Sequence, residues 1–380
     1  ASYLPQIEWT SIYSRTLEVP MLDVGFGQQM PLGYHDNYRN SLSFSLPLYT
    51  GSLRKVGYQS AETGYKLTQL SKSKTELEVK TNIALAYYGY KLAQANLSVS
   101  KNGKQRAEEH LASVKEQFAS GYKSELDLLN AQLGLEQAKY SVLEAEKNLQ
   151  MTRENLNLAI GLPLDSTYTV EGEMKYRPFE VEYHRLVDYA LNHRIELKQL
   201  KYNHKLMELK SETHWRQRLP SLILNLDYTY NKPNNFENEF EDNLTATVLF
   251  NLPIFDGAQW YYDWRGSKAE IKGLDEQIKS ATDGIKLEIS NNFTQLRKLE
   301  GQIEVSKKAL EIAQKAYNMA REQYDAGYIS SLEYRDAEQR LTEAEFINNQ
   351  AIYMYLTTVV KLKKSIGLGV TAEFSPEGEK

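Results

Sequence analysis

The chain has 380 residues, of which 25% are charged, and its formal net charge is −5. This balance excludes the basic footprint of nucleic-acid-binding proteins, so no nucleic-acid partner is expected. The absence of cysteine excludes disulfide frameworks, thiol catalysis and cysteine metal sites. No apolar run approaches the roughly 18 residues that a transmembrane helix needs, so any membrane contact must use β-strands or an interfacial helix.

The first predicted elements are two β-strands, over 3–16 and 38–50. Both alternate apolar and polar residues with a period of two, and in the first of them Ile7, Trp9 and Tyr13 share one face. Such alternation is typical of an antiparallel sheet with one apolar face. The connection 21–37 is rich in glycine, asparagine and proline, and it is predicted to be a loop.

Two helices follow, over 52–117 and 125–160. No proline lies between Pro47 and Pro163, so nothing in this span removes a backbone donor from a helix. The first helix is therefore expected to extend about 100 Å at 1.5 Å per residue. The segment 163–182 then interrupts the helices, and its stretch TYTVEGEM predicts a short strand.

The second half of the chain repeats this order of elements. Its predicted elements are a helix over 183–218, strands over 219–231 and 243–256 with a loop between them, and helices over 258–323 and 331–366. Tyr228 and Tyr230 lie near the end of their strand, as Trp9 and Tyr13 do in theirs. Strands of about 9–11 residues with aromatic ends suit a membrane barrel, although a soluble half-buried sheet would alternate in the same way.

Self-comparison at an offset of 206 residues aligns the two halves without gaps. SLPLYTG at 45–51 falls on NLPIFDG at 251–257, FASGYKSELD falls on YDAGYISSLE, and AIGL falls on SIGL. The chain is therefore predicted to be a tandem duplication, with repeats 1–182 and 183–380. The second repeat begins with the helix 183–218, so the duplication predicts about forty residues ahead of the first strand that this sequence does not contain.

Each long helix ends at a glycine followed by tyrosine. Gly121 and Gly327 supply the backbone freedom for a reversal, and Ser330 is placed to cap the returning helix. The two breaks are therefore predicted to be the tips of helical hairpins.

These features together resemble an outer membrane factor of the TolC type, over essentially the whole chain. The resemblance rests on the LP-containing strands, the strand-to-helix junctions ending at Gly51 and Gly257, the Gly-Tyr helix breaks and the closing I-G-L. It implies a mostly α fold with β-strands: a homotrimer with a twelve-stranded barrel in the outer membrane of a Gram-negative bacterium and a twelve-helix tunnel in the periplasm. It also implies an exit duct of a tripartite efflux pump or type I secretion system, without a cofactor.

The resemblance further implies partners and a gate. A periplasmic adaptor and an inner-membrane transporter are the expected partners, besides outer-membrane lipid. The tip residues expected to contact the adaptor are Gly121, Tyr122, Lys123, Ser124, Gly327, Tyr328, Ile329 and Ser330.

In the family, a tyrosine and an aspartate at the positions of Tyr324 and Asp127 help to lock the tunnel. Two acidic residues at the positions of Glu333 and Asp336 form a constriction, and residues three apart share a helix face. Ile329 stands where the lock has arginine, and Arg335 is the expected substitute.

Other chemistry is not indicated. The six histidines show no HExxH or ligand cluster and are predicted to lie at the surface or at helix ends. No phosphate loop or catalytic triad appears either, so the chain is not expected to be an enzyme.

The alternative to a channel is a periplasmic coiled-coil adaptor or a scaffold protein. An adaptor would carry a β domain between its helices, whereas here the β segments recur near the start of each repeat.

Overall fold

A computed structural model describes residues 4–23, 29–233 and 237–372. The chain divides into two compact units. The first comprises Ala1–Gln69 and Gln199–Ile278, and the second comprises Leu70–Lys198 and Lys279–Lys380. The first unit contains the strands, and the second contains both helical reversals.

Within the described residues the fold is mostly helical, with one four-stranded sheet, as predicted. The elements in chain order are β1 (Gln6–Arg15), β2 (Met21–Asp23), β3 (Gln29–Pro31), β4 (Asp36–Thr50), α1 (Leu53–Ala119), α2 (Glu125–Ile160), α3 (Tyr183–His193), α4 (Ile195–Arg216), β5 (Ser221–Lys232), β6 (Glu241–Asn251), α5 (Gln259–Asp325) and α6 (Ser331–Ser365).

The four long strands form an antiparallel sheet in the order β1-β4-β5-β6. Directly paired residues point to the same face of a sheet. One such row across all four strands consists of Trp9, Leu42, Tyr228 and Leu244. The pairing therefore gives the sheet one continuous apolar face.

The neighbouring rows are polar and belong to the opposite face. One of them joins Glu8, Ser43, Asp227 and Thr245. Side chains on this face bind one another across strands, as where the Ser45 hydroxyl donates to the Asn225 amide oxygen at 2.8 Å. A shift of one residue in any pair would mix the two faces, so the register preserves their separation.

The segment 21–37 differs from its prediction as a loop. Residues Met21–Asp23 and Gln29–Pro31 pair as a small antiparallel ribbon, and β4 already begins at Asp36. In the second predicted loop, β5 continues to Lys232 and β6 begins at Glu241. Residues 24–28 and 234–236 of these two connections lie outside the described part of the chain.

The strand predicted at 167–174 is wrong. The segment 163–182 has a turn at 164–165 and otherwise neither helix nor strand, and side chains of neighbouring helices bind its carbonyl groups. Lys91 donates to the carbonyl of Val170, and Tyr87 donates to that of Glu171 at 3.1 Å. These side chains supply the hydrogen bonds that a partner strand would otherwise give, so the backbone carbonyls are satisfied without strand pairing.

The single helix predicted over 183–218 is also wrong, because the chain breaks at Arg194. This residue has non-helical angles of φ −59° and ψ 122° and separates α3 from α4. Its guanidinium donates to the Ser365 carbonyl near the end of α6 and to the Glu288 carboxylate of α5 at 2.8 Å. No glycine or proline marks the break, so these tertiary bonds account for it.

The second unit contains an apolar core in which α3 and α4 pack on α5 and α6. Leu186, Ile289, Leu362 and Ile366 are among its fully buried members. α6 ends beside this core at Ser365, and Gly367, two residues later, has a φ of 78°. None of the helices in the described residues has an 18-residue stretch apolar enough to cross a membrane.

Candidate functional site: the helix tips and the cluster between the hairpins

Both hairpin tips are built in the same way. α1 ends at Ala119, Gly121 follows with a φ of 74°, and the amide of Tyr122 donates to the Gln117 carbonyl at 2.9 Å. In the second tip the φ of Gly327 is 79°, and the amide of Tyr328 donates to the Gln323 carbonyl at 2.8 Å. A glycine in the left-handed region with this bond pattern is a Schellman ending, which satisfies the last helix carbonyls.

The returning helices begin with matching capping boxes. The Ser124 hydroxyl accepts from the Asp127 amide, and the Asp127 carboxylate accepts from the Ser124 amide at 3.1 Å. Ser330 and Glu333 repeat this exchange at the start of α6, where the Ser330 amide donates to the Glu333 carboxylate at 2.8 Å. Two helix-end donors are thereby satisfied at each tip.

These hydrogen bonds favour the charged form of the two carboxyl groups. The Ser124 hydroxyl chiefly lowers the pKa of Asp127. The bonds from the Ser330 amide and hydroxyl lower the pKa of Glu333. Hydrogen bonds to a carboxylate favour its charged form, so both groups are ionised at neutral pH.

An aromatic cluster joins the two hairpins behind the tips. The ring of His110 on α1 lies 4.4 Å from that of Tyr334 on α6 and 5.0 Å from that of Tyr324 on α5. Tyr317 joins through a hydroxyl contact of 3.2 Å with Tyr334. Leu111, Val114, Ala131 and Leu341 complete the buried cluster.

His110 is neutral at physiological pH because it is buried. Its exposed fraction is 7%, and burial, followed by the charge of Lys123, lowers its pKa to about 4. The Nε2 atom lies 3.4 Å from the Ser331 hydroxyl, which belongs to α6. His110 therefore contacts the second hairpin as an uncharged ring.

Tyr324 is the most enclosed aromatic side chain of the cluster, with an exposed fraction of 1%. Its hydroxyl is buried and makes no well-formed hydrogen bond to any described residue. The nearby Ser331 side chain acts to lower the pKa of this hydroxyl. Burial, followed by the Asp127 carboxylate, raises that pKa. Lys123 of the first tip places its ammonium 4.3 Å from the Tyr324 ring centroid, which is a cation–π distance.

A charge network lies further from the tips and again joins α1 to α6. Arg106 donates to the Thr342 hydroxyl at 2.8 Å and lies 3.4 Å from the Glu345 carboxylate and 3.7 Å from that of Glu338. These charged side chains are mostly buried. Burial raises the pKa of Glu338, and the charge of Arg106 opposes this rise.

A groove of about 1290 Å³ runs beside this network between α1, α2 and α6. Small residues such as Gly103, Ala107, Gly134 and Ala138 form much of its wall. Arg335 lines the groove near His110 and contributes to the low pKa of that histidine. Among the residues that the structure describes, no group of His, Asp or Glu side chains could hold a metal ion.

The predicted gate residues fall into two sets. Tyr324 is buried in the cluster, and Asp127 acts on it only through its charge, since the Asp127 carboxylate is engaged by Ser124. Glu333 and Asp336 are exposed on the first turns of α6. Glu333 binds Ser330, whereas Asp336 binds Arg340 at 2.8 Å.

The predicted tip residues are mostly exposed. Tyr122 and Tyr328 project into solvent with exposed fractions of 85% and 83%. Lys123 and Ile329 instead turn toward the cluster, where Ile329 packs against its apolar members.

Sequence reasoning missed Arg106, His110 and Tyr334. The prediction that every histidine lies at the surface or at a helix end is wrong for His110, which is buried within α1. The sequence does contain one indication of this cluster. When the two repeats are aligned at the offset of 206 residues, Tyr334 aligns with Leu128 and His110 aligns with Ala316. A polar aromatic at a repeat position that is otherwise apolar marks a place where the two hairpins differ.

Comparisons with known proteins agree with this fold. The family described as outer membrane efflux protein matches residues 1–162 and 186–368. The alkaline protease secretion protein AprF of Pseudomonas aeruginosa is 21% identical over 344 residues, which cover 88% of this chain and 70% of AprF. The outer membrane protein TolC of Vibrio cholerae is 21% identical over 378 residues, covering 97% of this chain and 83% of TolC.

A solved structure has the same fold. The outer membrane protein VceC of Vibrio cholerae superposes with a TM-score of 0.76 at 16% identity, over 97% of this chain and 88% of VceC. The family match covers most of the chain and confirms both the resemblance and the predicted outer-membrane location. The chain belongs to the outer membrane efflux protein family.

Proposed function

We propose that three copies of this chain form a channel through the outer membrane. The observation that carries this proposal is the four-stranded sheet with one apolar and one polar face. In the described part of the chain, β1 and β6 each have a partner strand on one side only. Four strands are too few to close a barrel, whereas twelve strands from three copies give a barrel with a water-filled lumen.

The faces of the sheet suit this arrangement. On the apolar face Trp9, Leu244 and Val248 are largely exposed in the single chain. Such a face is costly in water but stable against lipid, while the serine, threonine and asparagine rows of the other face would line the lumen. The aromatic residues near the strand ends would lie at the membrane interfaces.

The helices would form the periplasmic part of the duct. The chain is proposed to be a tandem duplication with repeats 1–182 and 183–380, in which each repeat supplies one hairpin. The matching glycines and capping boxes at the two tips support this interpretation. Three copies would place twelve helices around the tunnel and six tips at its periplasmic end.

The tips would meet a periplasmic adaptor, which would connect the duct to an inner-membrane transporter. The exposed rings of Tyr122 and Tyr328 support such a contact, because exposed aromatic residues favour protein interfaces. The name of AprF associates that relative with protease secretion. We therefore keep both efflux and type I secretion as roles for this duct, through which substrates would pass passively.

The gate would lie just inside the tips. Glu333 and Asp336 are exposed carboxylates on one helix, and threefold symmetry would place six of them in one ring. Such a ring would select cations and bind trivalent cations tightly. Tyr324, Asp127 and Arg335 would hold the closed arrangement through the cluster behind the tips.

Two measurements test this proposal. Native mass spectrometry in detergent is expected to give a trimer, and a detergent-free monomer would contradict the channel.

In planar bilayers, Glu333→Ala combined with Asp336→Ala is expected to abolish block by trivalent cations. Glu173→Ala, in the segment 163–182, is the control and should leave the block unchanged. Unaltered block in the double variant would refute the acidic ring and leave the channel itself standing.

A further inference from the structure

Three of the four tryptophans in the chain lie where the strands meet the helices. Trp215 lies in the last turn of α4, just before β5, and Trp260 and Trp264 lie in the first turns of α5, just after β6. The rings of Trp215 and Trp260 pack edge to face, with 5.8 Å between their centroids. Tryptophan concentrates at the boundary between lipid and water, so this cluster indicates a membrane interface.

Arg218 adds a positive charge to the tryptophan cluster. Its guanidinium lies 4.1 Å from the Trp260 ring centroid and 5.6 Å from that of Trp215, which are cation–π distances. The residue is exposed, and its side chain makes no hydrogen bond or ion pair with any residue that the structure describes. A guanidinium that stacks on rings keeps its N–H donors available at its edge. Arg218 can therefore bind an anion from outside the chain.

Lys268 repeats this arrangement further along α5. Its ammonium lies 5.9 Å from the Trp264 ring centroid, and it has no ion pair within the described part of the chain. Trp260, Trp264 and Lys268 are spaced four residues apart, so they share one face of α5. Arg218 and Lys268 thus place two cations over two tryptophan rings, and these four residues form the basic aromatic row.

The carboxylates nearest in sequence do not neutralise the basic aromatic row. Asp256 accepts a hydrogen bond at 3.3 Å from a backbone amide in the first turn of α5, as a residue before a helix commonly does. Asp263 lies in α5 between the two tryptophans. Among the residues that the structure describes, neither carboxylate forms an ion pair with Arg218 or Lys268. The row therefore keeps two positive charges for an external anion.

The row directly follows the exposed apolar end of the sheet. Ile254 and Phe255, between β6 and α5, are 88% and 86% exposed. They follow the apolar residues of β6, of which Val248 and Phe250 are both 63% exposed. One leaflet of a bilayer has the same order, because a headgroup layer of about 5–7 Å covers the hydrocarbon. One helical turn spans about 5.4 Å, so the first turns of α5 would lie at the level of the headgroups.

We propose that Arg218 and Lys268, supported by the rings of Trp260 and Trp264, bind the phosphate groups of anionic phospholipids at the periplasmic surface of the outer membrane. Arginine can bind two phosphate oxygens at once, and lysine contributes a compact charge. A zwitterionic lipid carries its own cation beside the phosphate, so two protein cations favour a lipid with net negative charge. The inference rests on the proposed channel, in which the strands lie in the bilayer and the helices in the periplasm.

Lipid binding to the full chain tests this site. Native mass spectrometry in detergent, with phosphatidylglycerol or phosphatidylcholine added in a titration, counts the lipid molecules that the protein retains. The unmodified chain is expected to retain phosphatidylglycerol in preference to phosphatidylcholine. Arg218→Gln with Lys268→Gln should bind phosphatidylglycerol about thirtyfold more weakly, because each cation near a lipid surface contributes about fivefold.

The matched control is Lys307→Gln with Lys315→Gln. It removes two exposed cations from the same helix, about 58 Å or more beyond Lys268, and should leave lipid retention unchanged. Arg218→Lys with Lys268→Arg keeps both charges and should weaken binding by about threefold at most. Excess inorganic phosphate should not displace the lipid, because it lacks the acyl chains that the neighbouring apolar residues contact.

The outcomes separate this site from the proposed channel. A trimer that binds phosphatidylglycerol equally well in the glutamine variant and in the control overturns the site while the channel stands. Equal retention of the two lipids by the unmodified chain, or displacement by inorganic phosphate, also overturns it. A glutamine variant that loses its trimer without added lipid shows that the cations pair with a neighbouring copy instead. A monomeric unmodified chain contradicts the channel, and lipid retention by that monomer still decides the site.

Discussion

The imidazole ring of His110 stacks on the phenol ring of Tyr334, with 4.4 Å between centroids and 21° between planes. The two residues belong to different hairpins, and the Ser331 hydroxyl lies 3.4 Å from the same imidazole. Tyr334 directly follows Glu333, which closes the capping box at the start of α6. An uncharged histidine therefore joins the two hairpins next to the proposed gate.

Acidification is expected to weaken this junction. The pKa of His110 is about 4 in the folded chain and 6.5 ordinarily, so the unfolded or opened state binds the proton first as pH falls. The free energy of unfolding is therefore constant above pH 6.5. Between pH 6.5 and about pH 4 it decreases, by about 3 kcal/mol at most. Amide hydrogen-exchange protection factors at the start of α6 should therefore fall from pH 7 to pH 5.

The control for this prediction is His110→Phe, which keeps an aromatic ring at the position but cannot be protonated. Four other charged groups act on the pKa of His110. Lys123 and Arg335 lower it, whereas Asp325 and Asp127 raise it. These groups stay in place in the variant. If protection still falls between pH 7 and pH 5 in His110→Phe, the histidine is not the sensitive group.

Arg106 is expected to be the most important single charge for the association of α1 with α6. Arg106→Ala would leave the carboxylates of Glu338 and Glu345 largely buried without a cation, which is expected to cost about 2 kcal/mol of unfolding free energy. Chemical denaturation in detergent measures this loss. Arg340→Ala removes the exposed partner of Asp336 and should cost less than about 0.5 kcal/mol. Equal losses in the two variants would contradict the role of Arg106.

Local signals predicted the reversals, whereas the cluster behind them depends on distant contacts. A glycine that must adopt a positive φ and a serine three residues before an acidic residue can be recognised in a single sequence. His110 and Ser331 are 221 residues apart, and nothing in their own neighbourhoods indicates that they meet. The break at Arg194 is similar, because its cause is the carbonyl of Ser365 and the carboxylate of Glu288 rather than a local helix breaker.

The left-handed glycine at the second tip is expected to tolerate no side chain without strain. Gly327 has a φ of 79° and open space around it, so Gly327→Ala suffers from backbone strain rather than from a clash. We expect the variant to lose about 1 kcal/mol of stability. Gly284, inside α5 and also in open space, is the matched control, and Gly284→Ala should gain up to about 1 kcal/mol. Thermal unfolding of the two variants should therefore change in opposite directions.

Tyr355 of α6 is expected to anchor the segment 163–182. Its buried hydroxyl donates to the Arg177 carbonyl at 3.0 Å and accepts from the Phe179 amide at 2.8 Å, and burial raises its pKa to about 12. Tyr355→Phe removes both bonds while it keeps the ring, so two backbone groups lose their partner. The expected cost is about 2 kcal/mol.

Limited proteolysis distinguishes this anchoring role from a general loss of stability. Cleavage within 163–182 should accelerate by about tenfold in Tyr355→Phe while cleavage at the helix tips stays constant, because this hydroxyl binds the segment 163–182 and not the tips. Tyr353→Phe, two residues earlier in α6, is the control, since the Tyr353 hydroxyl makes no hydrogen bond to any residue that the structure describes. Equal cleavage rates in the two variants would show that other side chains, such as Lys91 and Tyr87, hold the segment without Tyr355.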